Sequence, residues 1–441
     1  MGQSNNATGD HGDVTVNSGC PVAKFGQMDS LVKALRSGLL ESRAEVFAGA
    51  HKFSDGSGDV NVSEFTEGVF GFVDGQAHRN RRKLLNSLVR PKALDAMREE
   101  VVLPSALRVL KEKVVRSEDD GVCRADLAEV SELIFLEFAT KLIGFVNTDT
   151  TEAMERLRTC VSPIFGAIAS QFVEDRDTVN RLALEAKKRY VDEFYRPARD
   201  HYAALLEAAA SGRVSYDDVP WNLMRFIVDG ADEAYMDDAL AIRESILLFN
   251  TSVGTSTQAL LSTVDDLTGW FREHPEDYGR RTDLDFLSQA LQETLRLRAP
   301  FLSYMTRLVV EDGTIEGQEV RQGQEVHMQI PKANRDPAVF GPDAATFNLR
   351  REIPNGIRPY GVAFGSGPHQ CYGLRVVMGN DGNDGSHVRL LQALFSAGVE
   401  PDPDRKPSLL QMRMEEDAMQ DIPTYATYPV IFTEWKDGWH L

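Results

Sequence analysis

"AFGSGPHQCYG", residues 363–373, sets one of only four cysteines, Cys371, among three glycines, a proline and a histidine, with Phe364 seven residues ahead of it. A thiolate is a soft ligand suited to iron or copper, and such a ligand has to be kept from protonation and oxidation. Glycines let backbone N–H groups turn toward a sulfur and lower its basicity, while a nearby aromatic ring shields it. The plainer reading of a lone cysteine is a small buried apolar residue in a glycine-rich turn.

Outside the loop, the composition is that of a soluble globular protein: 441 residues, 42% hydrophobic and 26% charged, with no apolar run of about 18 residues to span a bilayer. No membrane association is therefore expected. Residues 1–27 lack the basic and apolar regions of a signal peptide and read as a disordered tail. Asn6 stands where an N-myristoylation pattern wants Ser or Thr. Cys20, Cys123, Cys160 and Cys371 are far apart with no C-x-x-C pair, which argues against a disulfide framework or structural zinc and for a cytoplasmic location. The net charge of −19 argues against nucleic acid as a partner.

Apolar residues recur at three and four in "MDSLVKALRSGLLESRAEVF", "RADLAEVSELIFLEFATKLIGF", "DTVNRLALEAKKRYVDEFYRPARDHYAALLEAA" and "DDALAIRESILLFN", so the first two-thirds reads as a helical body. From about residue 304 short alternating pieces around Asp312-Gly313 and Gly317 read as small β-hairpins. A long irregular stretch, 331–370, then leads into the cysteine. Structureless segments of this length inside a domain are usually functional. The expectation is a mainly α protein with small sheets, one domain over 28–441.

Phe364-Gly365-x-Gly367-x-His369-x-Cys371-x-Gly373 resembles the heme-binding loop of the cytochrome P450 family, with six positions agreeing at once. The resemblance implies that Cys371 is the axial thiolate of heme b (iron protoporphyrin IX), donating electron density that favours O–O cleavage. Three further stretches follow the family's order. Glu293 and Arg296 in "LQETLRLRAP" resemble its E-x-x-R motif, though an i, i+3 ion pair alone is commonplace. "ANRDPAVFGPDAATFNLRR" (333–351) resembles the segment before the heme loop, with Thr346 where an arginine often stands and Arg350 expected to replace it. In "DGQAHRNRRKLL" (74–85), Asp74 reads as a helix N-cap, and His78 and Arg82 share one helix face. With Arg307 and His369 these resemble the donors to the heme propionates. Taken singly, each would be a solvated surface charge.

The oxygen-handling helix departs from the family. Its usual small-Gly-x-acid-Thr pattern is nearest to "VGTSTQ", giving Gly254 and Thr257 with Ser256 in the acidic place. Counting back from His274-Pro275 puts Gln258 and Ala259 there instead. Either way the carboxylate is missing. Thr251, Ser252, Thr255, Ser256 and Thr257 could hold a water chain, or merely back-bond to carbonyls. Two other departures are the glycines in "GNDGNDG" (379–385), implying an inserted loop on the cysteine side, and the lack of a recognisable first helix or strands before residue 28.

The resemblance implies a monooxygenase that inserts one oxygen atom of O2 into a mainly apolar organic substrate, with electrons from NAD(P)H through an acidic ferredoxin or flavodoxin. Residues 165–172, 51–73 with Phe65, Phe70 and Phe72, and 300–305 take the places of pocket-lining segments. The stretch 78–92, with Arg79, Arg81, Arg82, Lys83, Arg90 and Lys92 and no acid, would form the docking patch. The missing carboxylate keeps open hydroperoxide rearrangement, peroxygenase chemistry, oxidative phenol coupling or a heme-based sensor.

Overall fold

A helix of 36 residues, Asp238–Glu273, runs through the middle of the chain; at 1.5 Å per residue it is about 54 Å long. In the computed structural model, which describes residues 22–43, 46, 63–168, 175–300, 305–410 and 423–436, the other elements are arranged around it. The helices that frame the site are α1 (Gly75–Leu85), α2 (Leu127–Ile143), α3 (Asp238–Glu273), α4 (Leu284–Leu297), α5 (Leu374–Met378) and α6 (Ser386–Ser396).

Local chemistry fixes their ends. Asp126, Asp237 and Asp283 each accept a backbone N–H at the start of α2, α3 and α4. Gly144, at φ 97°, closes α2 in the left-handed conformation with its N–H on Thr140 O at 2.8 Å. Helix α2 is buried on nearly every side and packs against α3. Phe249 of α3 packs its ring 5.3 Å from Phe145 and 5.9 Å from Tyr190, within one large apolar cluster.

The small sheets lie to the side. One has the order β1 (Ala23–Phe25), β4 (Glu325–Met328), β3 (Met305–Val309), β2 (Leu40–Glu41), with β1 parallel to β4 and the rest antiparallel. Gly313–Ile315 and Gln318–Val320 form the expected hairpin, turned by Glu316 (φ 50°) and Gly317 (φ 79°).

Two expectations about the N-terminal region need correction. Residues 23–25 are an ordered strand, so a disordered tail reaching to residue 27 is too long, and 1–21 lie outside the described residues. Three residues, "AKF", are too few to show a period. The helix read over 28–47 spans only Met28–Ala34, and the chain then enters β2.

The "GNDGNDG" stretch does interrupt a helix: α5 ends at Met378 and α6 begins at Ser386. The loop closes at its base, where a Cβ on Gly385 would lie 2.0 Å from Val377 O, a space only glycine can occupy. Arg98 donates to Asp384 O (2.8 Å), Ser288 of α4 to Gly382 O, and Asn383 to Asp285.

Candidate heme site

The Cys371 loop is shaped by two glycines in the left-handed region, Gly365 (φ 67°) and Gly367 (φ 78°). At Gly367 a Cβ would come within 2.8 Å of Leu35 O, so the loop tucks directly under residues 35–36. Arg36 Nε donates to Ser366 Oγ at 2.9 Å. This fold returns Cys371 N–H to Phe364 O at 2.7 Å, and the Phe364 ring is buried edge-on to Tyr360.

Cys371 has accessible side-chain surface. Even so, enough protein surrounds the sulfur for burial to be the largest influence on the thiol, pushing its pKa up. The backbone N–H groups of Gly373 and Leu374 and the Arg82 guanidinium pull the other way, toward thiolate. Accessible surface within dense protein means that the sulfur faces an internal hollow. Cys123 and Cys160 are free and buried in the core; Cys20 lies outside the described residues.

Around this hollow the structure gathers the cationic residues picked from the sequence. His78 of α1 is 3% exposed, and its Nε2 has no hydrogen-bond partner among the described residues. Burial, with His369 beside it, pushes its pKa down to about 4. The two imidazoles stack with centroids 4.1 Å apart. Arg307 of β3 is buried, and among the described residues its one hydrogen bond goes to Thr306 O. Burial pushes its pKa down to about 10, against the pull of Asp74. Arg82 is half-buried over the Tyr372 ring at 5.9 Å, and burial lowers its pKa while Cys371 and Tyr372 oppose.

Asp74 corrects an expectation. It occupies the N-cap position of α1, but its side chain does not cap the helix. Its Oδ1 takes the His369 Nε2 at 2.7 Å and its Oδ2 the Ser42 N–H at 2.6 Å. Burial alone would raise its pKa, yet the His369 and Ser42 bonds and Arg307 hold it below the ordinary value. The cluster thus presents three cationic or N–H donors, His78, Arg82 and Arg307, with unspent capacity. Buried donors without partners are costly. A heme, with an iron that wants a soft axial ligand and two propionates that want fixed donors, fits this set.

The segment from Gly254 to Gln258 sits on α3, which is continuous there. Gly254 is exposed, with open space where a Cβ would be. Thr257 is buried and its hydroxyl has no partner among the described residues, while Thr251 and Thr255 back-bond to Leu247 O (2.8 Å) and Thr251 O (2.6 Å). Gln258 is committed elsewhere, pairing both ends of its amide with the Tyr425 backbone at 2.8 Å. Ser256 is buried, and its carbonyl faces His387 Nε2 at 3.3 Å. No hydrogen bond among the described residues joins Gly254, Ser256 or Thr257 to the Cys371 cluster.

Glu293 and Arg296 form a buried fork, with Nε and Nη2 each 2.7 Å from a carboxylate oxygen. Arg296 Nη1 also donates to Asn334 O and Ala344 O, tying α4 to the irregular segment. The residue that completes this network is Arg351, whose Nε donates to Glu293 Oε1 at 3.1 Å. Arg350, expected in that role, instead pairs on the surface with Glu276, Asp277 and His274.

The basic stretch also needs revision. Arg81 is 4% exposed and points inward to Glu244, so it belongs to no surface patch. Arg79, Lys83, Arg90 and Lys92 are exposed. Of the segments expected to line a pocket, 51–62, 169–172 and 301–304 lie outside the described residues. Phe65 is core, and Phe70 and Phe72 lie on a turn beside α1. Sequence reasoning missed Asp74's bonds, Arg351, Glu244 and His387.

With this geometry in hand, the comparisons are specific. The cytochrome P450 family model matches residues 263–378, from the second half of α3 through the cysteine loop to the end of α5. Over this stretch the chain is similar to the cytochrome P450 family. Cytochrome P450(MEG) of Priestia megaterium is 24% identical over 68% of this chain and 65% of its own. Luteothin monooxygenase of Streptomyces thioluteus is 28% identical over 46% of this chain and 49% of its own. The matches thus span less than two thirds of these relatives' length. The crystal structure of CalO2 superposes with a TM-score of 0.68 over 96% of this chain and 94% of that chain, at 16% identity, a likeness of fold. No helix among the described residues is long and apolar enough to cross a membrane.

Proposed function

We propose that this chain is a cytochrome P450, a heme-thiolate monooxygenase acting on a mainly apolar organic molecule. The observation that carries the reading is the juxtaposition of Cys371, held by Phe364 O and facing a hollow, with the unspent donors of His78, Arg82 and Arg307. Bound heme b would supply the activation of O2 and the transfer of one oxygen atom. The protein's own part is narrower. Cys371 would ligate the iron, with Gly373 and Leu374 N–H groups moderating the sulfur. His78, Arg82 and Arg307 would hold the propionates, and His369 orients against Asp74 while packing on His78.

The Thr257 hydroxyl, buried and without a partner among the described residues, has capacity to hold a proton in transit, as does the buried Ser256 beside it, whereas Thr251 and Thr255 already donate to carbonyls. Electrons would come from NAD(P)H by way of an acidic ferredoxin or flavodoxin attracted to Arg79, Lys83, Arg90 and Lys92. Reduction of the purified protein under carbon monoxide tests the reading. A thiolate-type Soret band supports it, and a protein that takes up no heme overturns it.

A second reading draws on the same helix. With no carboxylate in the 251–258 segment, a substrate already carrying an O–O bond, or peroxide itself, would need less proton delivery than O2 does. Product formation with peroxide and no electron donor, matched against the ferredoxin-driven rate, separates the two.

A further inference from the structure

Glu244 lies on α3 with no exposed surface, and nothing in the proposed chemistry uses it. Its Oε2 is 3.2 Å from Arg81 Nη1, and its two oxygens take the Phe70 N–H at 3.1 and 3.3 Å. The same Arg81 nitrogen donates to Gly68 O at 2.6 Å. One ion pair therefore grips both ends of the turn 68–70. Ser42 Oγ adds a bond to Gly71 O at 2.8 Å. The turn lies flat on α3: Cβ atoms built on Gly68 and Gly71 would lie 3.4 Å and 3.5 Å from Leu240 and Leu247. On its other side the Phe70 ring sits 5.9 Å from Tyr372, next to the cysteine, and 6.4 Å from His78.

We propose that the buried Arg81–Glu244 pair is a proton-linked latch that holds the Gly68–Phe72 turn on the long helix, and that release of this turn governs how small molecules reach the hollow in front of Cys371. Only the second half rests on the heme reading.

The linkage has a definite sign. Burial pushes the Glu244 pKa up to about 7, with Arg81 and the Phe70 N–H opposing. Exposed to water in a released turn, the carboxyl would return to about 4.3. The closed turn therefore binds the proton more tightly, and raising the pH favours release. Between pH 6 and pH 8 the release equilibrium should rise about tenfold. The other groups around Glu244 are Asp232 and Tyr235, whose hydroxyl is buried and unpartnered. On its own helix Arg243 turns away to Glu67 O, and Ser245 pairs with Tyr190. His78, at about 4, stays neutral throughout.

Two measurements decide the matter. On the dithionite-reduced holoprotein, the association rate of n-butyl isocyanide, neutral at both pH values, should be several-fold faster at pH 8 than at pH 6. Glu244→Gln, which keeps an acceptor oxygen but cannot ionise, should be slow and independent of pH. A Glu244→Gln protein that keeps the wild-type pH dependence, or a wild type without any, overturns the latch. Amide hydrogen exchange of residues 66–73 in the wild-type chain needs neither heme nor variant. After correction for intrinsic base catalysis, protection should be about tenfold lower at pH 8. Equal protection overturns the latch even where the heme reading stands, and a protein without heme leaves this second test intact.

Discussion

Arg351 Nε donates to Glu293 Oε1 at 3.1 Å, so the carboxylate that grips Arg296 is shared between two buried arginines. Asn348 N–H donates to the same oxygen at 3.2 Å, and Arg351 reaches back to Phe340 O, Asp343 and Thr346 O. Helix α4 and the irregular segment before the cysteine loop are thereby one polar unit. Without Arg351 the Glu293 carboxylate keeps Arg296 but loses one charge-assisted bond, and Phe340 O and Thr346 O lose their donor. Arg351→Ala should cost about 1.5–3 kcal/mol in denaturant unfolding. Arg350→Ala, a surface pair, should cost under about 1 kcal/mol. Equal costs would contradict the network as drawn.

Arg307→Leu would remove one of the proposed donors to the propionates without touching the cysteine loop. A charge-assisted hydrogen bond is worth about 1.5–3 kcal/mol, so heme transfer to an acceptor protein should quicken roughly 10–100-fold. The reduced carbonyl spectrum of the remaining holoprotein should keep its thiolate character. Unchanged heme transfer would remove Arg307 from the site.

Thr257→Val and Thr255→Val separate the two hydroxyls. Thr255 is already spent on Thr251 O, whereas Thr257 is not. Driven by a surrogate ferredoxin system, Thr257→Val should release more hydrogen peroxide per electron, and Thr255→Val should match the wild type. The reverse pattern would shift the register of the helix.

Arg79→Glu with Lys83→Glu reverses charge on the exposed face of α1. Reduction by an acidic ferredoxin should slow several-fold at low salt and converge with the wild type at high salt. A wild-type rate at low salt would place docking elsewhere. Arg81 is no part of this test, because it faces Glu244 inside the protein.

What the sequence disclosed follows from how local each signal is. The cysteine loop was legible because its glycines, phenylalanine and cysteine act on one another within eleven residues. The long helix was legible from its period over 237–250, although its interior departs from the usual oxygen-handling pattern. The roles of Arg351 and Arg350 were not separable, since two adjacent arginines differ only in which way the chain turns between them. Arg81 was hidden in a run of cations whose other members face water. Glu244 did carry a signal: it lies three and four residues from Leu240, Ala241, Leu247 and Leu248, all buried, so it had to sit on the apolar face. Its partner could not be read, because the pair is separated by 163 residues. The strand at Ala23–Phe25 exists only through its pairing with Val326–Met328.

The most direct test of the account is the reduced carbonyl spectrum of Cys371→Ser beside the wild type. The wild type should show a thiolate-type Soret band. Cys371→Ser should lose it, while Cys123→Ser and Cys160→Ser keep it. A Cys371→Ser protein that retains the thiolate-type band would contradict the assignment of Cys371 as the iron ligand.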